Sequence, residues 1–187
     1  MAISTADFRN GMCIEYNNKL CTIVEFQHVK PGKGGAFVRT KLRDIKTGRV
    51  VDYTFNAGTK FDSVRLETKK MQFLYSDGTD FNFMDMSSFE QLSIPAETVG
   101  SAANWLKEND EATLMYAGDE LISIEPPMFV ELEVTETEPG FKGDTATNVT
   151  KPATLETGAE VKVPLFINIG DKISIDTRTG EYIGRAK

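Results

Sequence analysis

The sequence predicts an all-β fold, and three observations carry that prediction. Short runs rich in Val, Ile, Thr, Phe and Tyr follow one another through most of the 187 residues. Clusters of Gly, Asn, Asp and Pro separate them and read as turns. Only one stretch, 95–109, carries apolar residues at helical spacing. After the Pro126-Pro127 pair, the strict alternation of Phe129-Val130-Glu131-Leu132-Glu133-Val134 opens a further set of strands.

In residues 1–65 strands are expected near 12–16, 20–28, 36–43 and 50–55, with turns at Asn17-Asn18 and Thr47-Gly48, which would close a small barrel or curled sheet. The run 20–28 and the run 37–43 flank Val29-Lys30-Pro31-Gly32-Lys33-Gly34-Gly35-Ala36, so they read as a β-hairpin. Gly32, Gly34 and Gly35 permit positive φ at its tip, and Pro31 stiffens the approach. Between the glycines stands one long cationic side chain, Lys33. With a rise of ~3.4 Å per residue, arms of about seven residues would hold it roughly 20 Å or more from the hairpin base. Period two in the second arm sets Arg39, Lys41 and Arg43 on one face, with Phe37 nearest the tip.

In residues 66–128, Met71-Gln72-Phe73-Leu74-Tyr75 and Phe81-Asn82-Phe83-Met84 form a hairpin about Ser76-Asp77-Gly78. Val99, Ala102, Ala103 and Leu106 predict one short helix within 95–109, and Trp105 beside it is expected to cover a barrel end. A second hairpin turns at Ala117-Gly118-Asp119. The aromatics Phe73, Tyr75, Phe81 and Phe83 could stack bases on paper, but with no cations beside them core packing is the better reading. In residues 129–187 the turn-rich run from Glu138 to Ala146 leads to strands at 161–167, 172–176 and 182–185, a barrel of about five strands, the size of an OB-fold. Each segment of about 60 residues is small for a self-sufficient core, so at least the first two are expected to pack together.

Composition bounds the chemistry. A content of 40% hydrophobic and 26% charged residues is that of a soluble globular protein. No basic-then-apolar leader and no transmembrane-length run is present, so a cytoplasmic location is expected. Cys13 and Cys21 match no metal or CxxC spacing and read as small core thiols. The net charge of −7 is unevenly spread: 11 Lys/Arg against 6 Asp/Glu in 1–65, then 10 against 22 in 66–187. Within 66–128 the count is 3 against 12, which disfavours a phosphate-binding surface there. The basic first segment can still seat on phosphates.

Catalytic and metal signatures are missing. His28 is the single histidine and reads as a surface strand residue at the hairpin base. Gly32-Lys33-Gly34 lacks P-loop spacing, and a strand rather than a helix follows it. Lysine nucleophiles need burial or a close cation, and a glycine-rich tip offers no burial. Lys33 is therefore a positioned cation or an attachment point, which directs it into another body's active site.

Three motifs together resemble the bacterial elongation factor P family. They are Lys30-Pro31-Gly32-Lys33-Gly34 followed by Lys41-Leu42-Arg43, then Gly143-Asp144-Thr145-Ala146, and then the run from Lys151-Pro152-Ala153 to Val163-Pro164-Leu165-Phe166-Ile167-Asn168-Ile169-Gly170. The resemblance covers the whole chain. It implies an SH3-like (KOW-like) domain at 1–65, a central OB-fold at 66–128 and a C-terminal OB-fold at 129–187, in an L like that of transfer RNA. It implies a non-enzymatic, monomeric factor without cofactor or metal, unattached to membranes. Such a factor binds the ribosome between the peptidyl and exit sites and relieves stalls at consecutive prolines, whose ring restricts peptidyl geometry. Lys33 would lie along the acceptor end of the peptidyl-site tRNA, extended by a lysine-modifying enzyme, within a tip loop of Lys30, Pro31, Gly32, Gly34 and Gly35. Arg39, Lys41 and Arg43 would hold phosphates. Gly143, Asp144 and Thr145 match a loop that approaches the exit-site mRNA codon, and Tyr182 and Arg185 match a pair associated with ribosome contact. The alternatives are a paralogue of this architecture acting on other stalls, a generic OB-fold RNA-binding protein, and an enzyme with a lysine nucleophile.

Overall fold

A computed structural model describes residues 1–140 and 149–186. Six strands of the first part, β1 (Ala2–Ser4), β2 (Cys13–Tyr16), β3 (Lys19–Val29), β4 (Phe37–Asp44), β5 (Val50–Asn56) and β6 (Lys60–Val64), form one antiparallel curled sheet in the order β1-β6-β2-β3-β4-β5. β1 and β6 are additions to the expected set; both are short, and Ala2-Ile3-Ser4 offers almost no alternation to read. Alternation does set the faces elsewhere: in β4 Val38, Thr40 and Leu42 are buried while Arg39, Lys41 and Arg43 face solvent. The inward residues join Phe8, Ile14, Ile23 and Phe55 in a core whose rings meet edge to face, Phe55 and Phe61 at 4.7 Å between centroids. Each such side chain removed from water contributes roughly 1.5–3 kcal/mol.

The two thiols are free and buried. Ile14 lies opposite Cys21 and Cys13 opposite Thr22, so the cysteines project from opposite faces of the sheet. Burial pushes the Cys13 thiol up to about 11.

The second sheet runs β11-β10-β7-β8-β9, from β7 (Leu66–Ser76), β8 (Asp80–Asp85), β9 (Gln91–Pro95), β10 (Glu111–Ala117) and β11 (Glu120–Glu125). The β7–β8 turn is built on Asp77, whose Oδ1 accepts the N–H groups of Thr79 and Asp80 at 2.9 and 2.8 Å. Phe73 and Phe83 are buried and Phe81 stacks on Phe73 at 5.2 Å, so these three are core; Tyr75 alone of the four is exposed. The helix expected in 95–109 is reduced to α1 (Ala96–Val99) and a 3-10 turn, Gly100–Asn104. Gly100 adopts φ +62°, which α-helix cannot propagate through. The apolar spacing that suggested the helix still serves burial, since Val99, Ala102 and Leu106 are inside.

The third sheet has the order β14-β13-β12-β15-β16, from β12 (Phe129–Thr137), β13 (Thr150–Leu155), β14 (Glu160–Pro164), β15 (Lys172–Asp176) and β16 (Glu181–Arg185). β13 escapes the sequence pattern because Pro152 sits inside it, paired with Lys162. β14 stops at Pro164, three residues short of the expected 161–167 strand. Val130, Leu132, Val134, Val163, Ile173 and Ile175 form its core, and Trp105 packs against that core. Trp105 thus caps the third sheet's interior, aided by the Thr157 hydroxyl donating to the Asn104 carbonyl (2.6 Å) and Lys107 Nζ to the Glu131 carbonyl (2.9 Å).

By compactness the chain divides into two units. One comprises 1–68 with 115–123, the other 69–114 with 124–187. No helix among the described residues is long and apolar enough to cross a membrane.

Candidate functional site

The β3–β4 hairpin carries the first candidate site. Its ladder runs from Cys21↔Asp44 to Val29↔Phe37, about 27 Å at ~3.4 Å per residue. The inner part is anchored by Ile23, Val38 and Leu42, each wholly buried. A register shift between Ile23 and Glu25 inserts a bulge, which increases local twist of the arm. Beyond Val29 the chain leaves the ladder, and residues 30–35 are all exposed. Lys33 projects from this tip, and no hydrogen bond or ion pair among the described residues holds it. Of the three tip glycines only Gly34 uses positive φ, at +101°. Gly32 and Gly35 adopt ordinary backbone conformations with open space where a Cβ would stand, so the turn demands glycine at a single position. His28 is exposed as expected, but it pairs with Val38 one step from the end of the ladder, near the tip and not the base.

The outer face of β4 presents Arg39, Lys41 and Arg43 as a stripe, yet the three are not equivalent. Lys41 lies between Glu25 on β3 and Asp52 on β5. Its Nζ sits 3.1 Å from Glu25 Oε2. That hydrogen bond, then the Glu25 charge and then Asp52, raise the Lys41 pKa. Arg39 faces Gln27 and Thr54, and Arg43 faces Thr22 and Val50, all uncharged. Arg39 also stacks over the Phe37 ring, 5.7 Å from its centroid, which points the guanidinium toward the tip. A groove of about 240 Å³ between these rows is lined by Glu25, Gln27, Arg39, Lys41, Asp52 and Thr54. Two cations, Arg39 and Arg43, are therefore unopposed and available to an anion, a distinction that the sequence alone, blind to cross-strand partners, does not contain.

The C-terminal candidates belong to the other compact unit. Tyr182 is half-buried against the third sheet's core. Arg185 donates to the Phe166 carbonyl (3.0 Å) and the Asp171 carboxylate (3.1 Å) and lies over the Phe166 ring. It pins the loop that follows β14, a structural task with no signal in the local residue pattern. Gly143, Asp144 and Thr145 lie outside the described residues. Among the described residues no cluster of His, Cys, Asp and Glu could hold a metal ion.

Comparison with known proteins agrees along the whole chain. Residues 4–61 match the family model for the elongation factor P KOW-like domain, 66–124 that for its OB domain, and 130–185 that for its C-terminal domain. Elongation factor P of Ruminiclostridium cellulolyticum is 56% identical over 185 residues, covering 99% of this chain and 100% of that one. Elongation factor P of Pelotomaculum thermopropionicum is 55% identical over 183 residues, covering 98% and 99%. Among solved structures, a translation initiation factor eIF-5A family protein from Naegleria fowleri shares the fold at a TM-score of 0.54 and 16% identity, covering 67% of this chain and 97% of that one. An exposed, glycine-flanked lysine on a two-stranded arm, three matching domain models and full-length identity above half leave one assignment: the chain belongs to the elongation factor P family and is a translation elongation factor.

Proposed function

We propose that this factor binds the ribosome between the peptidyl and exit sites and speeds peptide-bond formation at consecutive prolines, with Lys33 laid along the acceptor end of the peptidyl-site tRNA. The observation that supports this most directly is the free Lys33 ammonium at the tip of an arm whose root is locked in a core. Such a group can enter a crowded site without disturbing its own fold. Its contribution is positional: it favours a reactive geometry of the peptidyl ester while the bond-forming chemistry stays with the ribosome. Arg39 and Arg43, the unopposed cations of the stripe, hold phosphates along the same path. Lys33 is the residue a lysine-modifying enzyme would extend, and Gly143-Asp144-Thr145 would approach the exit-site codon. Domains at 1–65, 66–128 and 129–187 complete the proposal, supported by the family matches at 4–61, 66–124 and 130–185.

The test is a reconstituted translation assay on a template with consecutive prolines. Lys33→Ala should reduce relief of the stall to the level without factor. Its thermal midpoint should stay that of the parent, since exposed positions away from special features change stability by about ±0.5 kcal/mol. Full relief by the variant would overturn the assignment of Lys33. Peptide mass spectrometry of the native protein reads any added mass on Lys33 directly.

A further inference from the structure

The outer face of the β3–β4 arm sets two carboxylates against one lysine in the middle of its cation stripe. Rows across β3, β4 and β5 read Gln27-Arg39-Thr54, Glu25-Lys41-Asp52 and Thr22-Arg43-Val50. The two flanking rows carry one positive charge each, while the middle row sums to −1, two carboxylates less one ammonium. Glu25 meets Lys41 at 3.1 Å with 66% and 50% of the two side chains exposed. A pair so open to water contributes little to stability. Asp52 is a second acid where one already neutralises the lysine. Arg39 lies over the Phe37 ring, so its guanidinium leans away from the acid row toward the tip. Arg43 stands four residues down the strand from Arg39, about 14 Å at ~3.4 Å per residue. Glu25 and Asp52 line the same groove as Arg39 and Lys41.

A polyanion laid along this strand meets a cation, then an acid-bearing row, then a cation. Its phosphates are attracted at the two ends and repelled at the middle. Discrimination by repulsion leaves a partner unharmed when its phosphates touch only the ends. A flexible strand that follows the groove meets the carboxylates and is rejected. We infer that Glu25 and Asp52 are specificity-determining residues: they keep this basic arm off free single-stranded RNA and reserve Arg39 and Arg43 for a backbone whose phosphates arrive about 14 Å apart. This rests on the reading above of Arg39 and Arg43 as phosphate contacts on the ribosome, and it adds the selection against other RNA.

The experiment uses the full chain with two partners, a fluorescein-labelled single-stranded RNA of mixed sequence and purified ribosomes. At low salt Glu25→Gln should tighten binding to the free RNA about fivefold and steepen its salt dependence by about one unit, because Lys41 is released to a phosphate. Adding Asp52→Asn should tighten it further. Thermal midpoints should stay that of the parent, since the pair is exposed. Ribosome affinity should stay within about twofold of the parent, because the flanking arginines are untouched. Stall relief by the double variant, unlike that by the parent, should therefore fall when the free RNA is added as competitor. Lys41→Gln should weaken free-RNA binding more in the Glu25→Gln background than in the parent. Unchanged RNA binding by both carboxylate variants, an equal effect of Lys41→Gln in the two backgrounds, or weakened ribosome binding by the double variant would each overturn the inference and leave the function of the Lys33 arm standing. Failure of the parent protein itself to bind ribosomes would overturn both.

Discussion

Thr40 is 3% exposed between Phe26 and Tyr53, and its Oγ1 has no hydrogen-bond partner. A buried hydroxyl left without a partner costs about 1–3 kcal/mol. Valine has nearly the same shape and an equal or better strand preference. Thr40→Val should therefore raise the urea midpoint, by about 1 kcal/mol of unfolding free energy or more, with an unchanged slope; a fall would reveal a partner for that hydroxyl. The tip glycines separate in the same residue-level way. Gly34→Ala forces φ +101° on a side chain and should cost about 1 kcal/mol or move the tip. Gly32→Ala and Gly35→Ala should leave both thermal midpoint and stall relief as they were. A stalled-reporter assay run on all three variants checks the ranking, and equal losses would contradict it.

The β3–β4 arm makes its prediction as an element. Salt dependence of ribosome binding counts the phosphates that a protein neutralises. Arg39, with uncharged cross-strand neighbours, should remove about one unit of that slope when changed to glutamine. Lys41→Gln should change it less, because Glu25 and Asp52 already neutralise Lys41. Equal slopes for the two variants would mean that the ion pair opens on the ribosome. Sequence periodicity located this stripe correctly, since period two is a property of a single strand. It could not rank the cations, because Glu25 and Asp52 lie 16 and 11 residues away along the chain and meet Lys41 only through the ladder. Elements that contradict or lack a local pattern were the ones missed: β13 because of Pro152, the helix end because Gly100 takes a conformation that spacing does not encode, and β1 because three residues are too few to alternate.

At the scale of the whole molecule, two compact units with separate cores should not melt as one. The calorimetric enthalpy is expected to exceed the van't Hoff enthalpy; coincidence of the two would mean a single cooperative block. Acid should act on the aspartate-built turns of both units, in the first on Asp44, whose pKa is lowered by the Thr47 N–H foremost. Asp77, Asp85 and Asp176 all have lowered pKa values, the first by backbone N–H groups of Asp80 and Thr79, the second by Ser87, the third by Arg178. Their folded values lie below the unfolded ones, so the stability they supply is present above the unfolded carboxylate value near 4 and fades as pH falls below it.

What the sequence determined by itself was local: the all-β class, most strands, the Lys33 hairpin, the outward cationic face and the inward aromatics. Each follows from periodicity or turn chemistry within a few residues. Tertiary structure decided what depends on distant partners. It set which cations stay unopposed, that Arg185 is spent pinning a loop, and that Trp105 packs against the third sheet's core. The physical reason is common to all three: cross-strand pairing and packing arise when remote segments meet, and no window of neighbouring residues contains them.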